Sequence, residues 1–390
     1  MTAAPGPPRR PTVTPDQAAA ATLAALPGIT PARLQALLSR WPDPSAALAA
    51  VVAGRGAEAI DAPGLASLWA TEARPEAMAA RLAHRQTRVL LASEPGFPIL
   101  EGLPGRPAVL FAEGERPEAL DAPRVAVVGT RAATPYGLAD AREVGEFLGA
   151  SGVSVVSGLA IGIDGAAHLG ALTAAEAGQN SPECAPRAGP IGVVATGIDV
   201  VYPRRHAPLF ERIRRAGLLV GEHAFGVAPT PVRFPVRNRI IAALSDLLVV
   251  VEATLTGGSR ITAERALDYG RPVLAIPGSR RNPAAAGCNA LLADGAQPLI
   301  DPSDILLALG MTPGVRRGWS RPAPPVAISP TAARIKDVLA GEPAHPDQLA
   351  NRTGLDSGDV ALAVEELVAL GCAKRDRGFV WPLRTHRLGP

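Results

Sequence analysis

The residues of this chain best suited to chemistry recur at one kind of place: a glycine-bearing turn that follows a short apolar run. Gly129-Thr130-Arg131 follows RVAVV, and Ser157-Gly158-Leu159 follows VSVV and runs on to Asp164. Phe234, Arg237, Asn238 and Arg239 open a later stretch, FPVRNRIIAALS. Gly257-Gly258-Ser259-Arg260 comes soon after LLVVVEA, and Asn289 lies beyond the Pro277-Gly278 turn. Glycine at such turns lets backbone approach a ligand, and the helix start that follows presents free N–H groups with partial positive charge. Arginine adds planar, bidentate donors. The chemistry these types share is phosphate recognition. One such turn alone would satisfy only a tight loop; several, with arginines converging on one edge, argue for a phosphate-bearing ligand.

Other chemistries fit poorly. No GxxxxGK[ST] occurs, and 158–165 reads G-xxx-G-xx-G where a dinucleotide fold would carry GxGxxG, so no nucleotide cofactor is expected. No GxSxG elbow appears. Asp164 and His168 stand one helical turn apart, which suits either acid–base work or, more readily, a carboxylate bonded to backbone at a helix start. Cys184, Cys288 and Cys372 are isolated, with no CxxC and no Cys/His cluster. Neither a structural metal nor a disulfide is expected, and a reducing cytoplasm is the natural compartment. Net charge is only +3, so any nucleic-acid role must rest on local arginines. Aromatic residues are 4% of the chain, which argues against extensive base stacking. Phe234 and Tyr202 are the nearest stacking candidates, and each reads first as a core residue.

The elements that must position these residues are legible. Residues 1–14 read as a disordered proline-rich lead without the apolar core of a signal peptide. Residues 15–85 carry helical periodicity. Within them, LPGITPARLQALLSRW suits either a helix-hairpin-helix that holds a DNA phosphate or a packing module with no DNA contact. From residue 124, apolar runs at 124–130, 153–158, 191–196, 218–223, 247–253 and 272–278 alternate with amphipathic stretches. Runs that are apolar throughout mark strands buried on both faces, hence a parallel sheet covered by helices. The fold class is α/β: a doubly wound, extended Rossmann-like parallel sheet over 86–311, with a small N-terminal helical domain and a C-terminal winged-helix domain. A linker spans 312–328, and three helical patterns plus a hairpin at 329–385 give the winged helix. Residues 179–190 read as an inserted loop. No apolar run reaches the length a membrane helix needs, so no membrane association is expected.

Six blocks add up to a resemblance. VAVVGTRAATPYG (125–137), VSGLAIGIDGAAHLGAL (156–172), ATGIDVVYP (195–203), FPVRNRIIAALS (234–245), GGSRITAERAL (257–267) and GRPVLAIPG (270–278) resemble the signature blocks of the DprA/Smf family, in its order. GCNALLADGAQPL (287–299) resembles its closing block, and GFPILEGLPGRPAVLFAEG (96–114) the extended segment before its Rossmann domain. The match covers residues 95–310. The resemblance implies single-stranded DNA binding, a homodimer, help in loading the RecA recombinase during natural transformation, and no catalytic turnover. It implies DNA contacts at Gly129 and Arg131, the 157–159 turn, Arg237 and Arg239, and the 257–259 turn.

The chain departs from the family in two places. Arg260 stands where the family usually has an apolar residue, adding a cation for phosphate or for solvent. The 179–190 insert replaces a connection that often carries a basic residue, for which Arg187 is the substitute candidate. Two rival readings remain. GGSRITAE (257–264), with Glu264, superficially resembles the PGGxGTxxE motif of phosphoribohydrolases that cleave nucleoside monophosphates. The winged helix could instead regulate duplex DNA, but Asp356, Asp359, Glu365 and Glu366 make its third helix acidic and favour a protein contact.

Overall fold

A computed structural model describes residues 13–60, 62–179, 188–311, 329–339, 344–369, 373–376 and 378–382. Most of the N-terminal lead, the linker, and Cys184 and Arg187 of the insert lie outside the described residues. The chain divides into two compact units near residue 316.

Five helices open the first unit: α1 (Pro15–Ala24), α2 (Pro31–Arg40), α3 (Pro44–Val52), α4 (Pro63–Glu72) and α5 (Pro75–Arg85). Each begins with proline in its first turn, where the missing N–H has no helical partner to lose and φ is already set. Thr14, Thr30 and Asp43 cap the first three with side-chain oxygens. The α1–α2 turn is tied inward: Trp69 Nε1 donates to Pro27 O at 2.7 Å and Arg33 Nη1 to Gly28 O at 2.6 Å. Leu23, Leu37 and Leu82 share one apolar core with Phe111 and Leu219 of the sheet.

The sheet has nine strands: β1 (Arg88–Leu91), β2 (Val109–Glu113), β3 (Arg124–Val128), β4 (Ser154–Ser157), β5 (Ile191–Gly197), β6 (Leu218–His223), β7 (Leu247–Val250), β8 (Val273–Ala275) and β9 (Gln297–Pro298). Their order is β1-β2-β6-β5-β4-β3-β7-β8-β9. Pairing is parallel from β6 to β9, and antiparallel only where β1 and β2 extend one edge. Strands β4, β5 and β7 are buried along their whole length, as their continuous apolar runs require. Helices α6 (Pro135–Ala150), α7 (Ile163–Gln179), α8 (Ala207–Ala216), α9 (Arg233–Leu244), α10 (Gly258–Asp268), α11 (Ala286–Ala293) and α12 (Ser303–Ala308) complete the unit. This is the expected doubly wound α/β architecture.

The chain winds outward from β3 in both directions, so β3 and β7 are neighbours whose following segments diverge. A crevice at the carboxyl ends of two such strands is where open α/β sheets bind ligands. Helices α6 and α7 start beside this crevice and pack at unusually close range. Gly145 lies against the Ala167 carbonyl and Gly170 against the Arg142 carbonyl, so any side chain at either glycine would overlap backbone.

The second unit holds α13 (Pro330–Leu339), α14 (Pro346–Thr353), α15 (Ser357–Ala369) and a hairpin of β10 (Ala373–Asp376) and β11 (Phe379–Pro382). Ile335, Leu349, Val364, Leu367 and Val380 form its own core. Its acidic residues are largely engaged. Asp356 accepts from the Gly358 and Asp359 N–H groups, Glu365 pairs with Arg375 at 2.9 Å, and Glu366 accepts from Ser329.

Candidate nucleic-acid interface

A cavity of about 520 Å³ opens at the carboxyl ends of β3 and β7. Gly129, Thr130 and Arg131 line it from the turn after β3. Phe234, Arg237 and Asn238 line it from α9, and Gly257, Gly258 and Ser259 from the start of α10. No side chain among the described residues caps α10, so the Gly258 and Ser259 N–H groups remain available at the cavity wall, while that of Arg260 bonds to Gly257 O.

The N-terminus of α6, the first helix after β3, is a different matter. Thr134 is its N-cap and Pro135 its first helical residue. The Glu252 carboxylate, 7% exposed, accepts from Thr134 N–H at 2.9 Å and from the Thr134 hydroxyl at 2.6 Å. A dinucleotide would place its pyrophosphate at such a helix start. Here the protein's own carboxylate occupies that position. A lone acidic residue at the end of LLVVVEA is the one sequence signal for this plug.

One wall of the cavity is aromatic. The Tyr202 and Phe234 rings lie 5.3 Å apart at 45°. The Arg131 guanidinium carbon sits 5.3 Å from the Phe234 ring centroid. Arg131 is exposed and forms no ion pair among the described residues. Tyr202 is 44% exposed and Phe234 half-buried, which corrects their reading as core residues. Pro231 and Pro235 line the cavity on either side of Phe234.

Beneath this surface lies a buried polar layer. Arg237, only 5% exposed, donates from Nη1 to Gly158 O at 2.8 Å and also to Val193 O. Its guanidinium fills the space a side chain on Gly158 would need. Burial lowers the Arg237 pKa to about 10, against the opposing pull of Asp164. Asp164 accepts from Gly158 N–H at 3.1 Å; burial raises its pKa, and Arg237 counters the shift. The Asp164 carboxylate therefore bonds to backbone at a helix start. His168 is fully buried, and its pKa is lowered by that burial to about 3. Neither of its ring nitrogens finds a hydrogen-bond partner of good geometry among the described residues, although the Ser157 backbone partly opposes the shift. A histidine held neutral at such depth is a poor acid–base partner for a cavity ligand.

Several expected contact residues are directed elsewhere. The Ser157 hydroxyl donates to Val127 O at 2.7 Å, and Leu159 is 1% exposed with φ of +58°, a strained conformation for a branched residue. Arg239 faces away from the cavity. Its Nη2 donates to both Glu222 oxygens at 2.7 and 2.5 Å, its Nη1 donates to Gly105 O, and its side chain is 15% exposed. Arg260 leans along α10 toward Glu264 and Asp294. Asn289 clamps Gly278 through both its amide atoms. Of the arginines that the resemblance implies at this edge, Arg131 presents a solvent-facing guanidinium, Arg237 is a buried cation behind the cavity, and Arg239 is turned to Glu222.

Comparison with known proteins agrees with this architecture. The family model of DNA recombination-mediator protein A matches residues 88–310, and that of the DprA winged helix domain matches residues 320–367. Protein Smf of Synechocystis is 30% identical over 77% of this chain and 81% of its own length. A putative DNA processing protein DprA of Mycobacterium tuberculosis is 39% identical over 68% of this chain and 66% of its own. The X-ray structure of DNA processing protein A from Streptococcus pneumoniae superposes with a TM-score of 0.62 at 29% identity, over 76% of this chain and 98% of that one. The chain belongs to the DNA recombination-mediator protein A family, the DprA/Smf proteins.

Proposed function

We propose that this protein binds single-stranded DNA in the cavity at the β3–β7 edge and acts there without catalysing a reaction. The observation that carries the reading is the Arg131–Phe234–Tyr202 wall facing the uncapped start of α10. A cation and aromatic faces beside backbone donors suit a flexible strand, whose bases stack and whose phosphates take the N–H groups. A duplex keeps its bases stacked on each other and offers no free face to such a wall. Gly129, Thr130, Arg131, Phe234, Asn238, Gly257, Gly258 and Ser259 form the contact set, with Arg237 adding charge from beneath. The site protects incoming DNA in the cytoplasm, and a homodimer presents two of them to one strand while RecA is loaded.

The phosphoribohydrolase reading loses support because Glu264 is exposed on α10 and pairs with Arg260 instead of lining the cavity. The duplex-regulator reading loses support because Asp359, Glu365 and Glu366 lie on α15, with Asp356 capping its start.

Titration of a fluorescent poly-dT oligonucleotide at two salt concentrations, with a duplex control, tests the proposal. Preference for the single strand, lost in Arg131→Ala, is the expected result. Equal affinity for duplex, or an Arg131→Ala protein that binds as wild type does, would overturn it.

A further inference from the structure

A second groove, of about 430 Å³, opens where α6, α7 and α8 begin. The α7 residues Gly165, Ala166 and Leu169 form its floor. Leu138 and Arg142 of α6 stand on one side, and Pro208, Leu209 and Arg212 of α8, with the preceding Arg205 and His206, on the other. The groove is separate from the cavity described above, and the 160–165 turn runs between them.

Its chemistry differs from that of the cavity. The floor is apolar, and Leu169 on it and Leu138 beside it are left 36% and 38% exposed. The rim is cationic. Arg142 and Arg205 are exposed and have no ion pair among the described residues, while Arg212 is held by Glu176 through two contacts of 2.9 Å. No acidic residue is among the described residues that line it. No aromatic ring of Phe, Tyr or Trp is among them either, so the stacking that a nucleic-acid base would need is missing. The α8 side is also tied to the neighbouring turn, because His206 Nδ1 lies 2.9 Å from Leu159 O.

We infer that this groove is a docking site for an acidic amphipathic helix of a protein partner. Apolar side chains at i, i+4 and i+7 of such a helix cover Leu138, Leu169 and the apolar surface between them, and carboxylates on its flanks meet Arg142 and Arg205. A groove between helices with an apolar floor and one sign of charge on its rim fits that ligand class by shape and by charge. The inference stands independently of DNA binding in the cavity.

The probe is a labelled peptide of about fifteen residues with leucines at i, i+4 and i+7 and aspartate or glutamate elsewhere, read by anisotropy against the full chain. Its control replaces the leucines with serine. The expected result is salt-sensitive binding of the leucine peptide alone, weakened on the order of tenfold or more by Arg142→Glu/Arg205→Glu. Both arginines are exposed, and circular dichroism confirms folding; Arg205→Ala is the milder second variant, expected to lose less. Poly-dT binding should be unchanged in both. Three outcomes would overturn the proposal: no binding of the leucine peptide, equal binding by wild type and the charge-reversed protein, or loss of poly-dT affinity in place of peptide affinity. The last would mark the groove as a continuation of the nucleic-acid path. If Arg131→Ala leaves poly-dT binding intact while the peptide still binds, the DNA proposal fails and this one stands.

Discussion

The Glu252 carboxylate holds the Thr134 N–H and hydroxyl at 2.9 and 2.6 Å, linking the end of β7 to the start of α6. A buried anion therefore neutralises the helix start that a dinucleotide-binding fold leaves open, which is why the proposed phosphate contact is assigned to the start of α10. Glu252→Ala strands a half-buried N–H and the cap hydroxyl together. It should cost about 1–3 kcal/mol, read as a lower midpoint in urea unfolding. An unchanged midpoint would show that the carboxylate is not needed to start α6.

Arg131 and Arg239 are both arginines of the signature blocks, yet they should behave oppositely. Arg131 faces solvent over Phe234, so Arg131→Ala should leave thermal stability near wild type. It should bind poly-dT about tenfold more weakly, the equivalent of about 1.4 kcal/mol. The plot of log affinity against log salt should become shallower, its slope smaller by about 0.7 for each phosphate that the protein no longer neutralises. Arg239 is paired with buried Glu222. Arg239→Ala should destabilise by about 3–5 kcal/mol because it leaves that carboxylate unpaired, while the folded fraction keeps its DNA affinity. A stable Arg239→Ala protein that no longer binds DNA would return Arg239 to the interface.

The aromatic wall predicts a stacking contribution that composition alone argues against. Phe234→Ala should weaken poly-dT binding by about 1–3 kcal/mol, and Phe234→Tyr should retain most of it. Quenching of intrinsic tyrosine fluorescence on oligonucleotide binding should diminish in Tyr202→Phe. If Phe234→Ala binds as wild type does, the strand contacts the site through phosphate alone.

His168 gives the stability a pH dependence. Burial lowers its pKa in the folded state to about 3, against 6.5 for an unperturbed histidine, so the unfolded chain takes up the proton first as pH falls. The stability gained by keeping the ring neutral is complete above about pH 6.5 and is lost as pH falls from there to about 3. His223 adds to the same slope, because burial first, and then Arg233 and Arg239, lower its pKa to about 4. Since the His168 ring nitrogens lack good partners among the described residues, His168→Leu should melt close to wild type at pH 7.5 and above it at pH 5. Parallel melting curves at both pH values would show that His168 carries none of the acid sensitivity.

Residue type and spacing were enough to determine the elements and the edge where they meet. The runs ending at Val128, Ser157 and Val250 are almost wholly apolar, and only strands buried on both faces tolerate that pattern. The segments after them all carry glycine, where backbone passes close, and two of them, 129–131 and 257–260, also carry arginine. The six blocks in order therefore identified both the sheet and the family. Local pattern does not decide which way a guanidinium points. Arg237 and Arg239 are two positions apart on one helix, so they face different neighbours. One turns under the cavity to Gly158 and Val193; the other meets Glu222 and Gly105. Tyr202 joins Phe234, and Glu252 reaches Thr134, across long stretches of chain. Burial makes partners for charged groups obligatory, and those partners come from strands and turns that only the tertiary structure brings together.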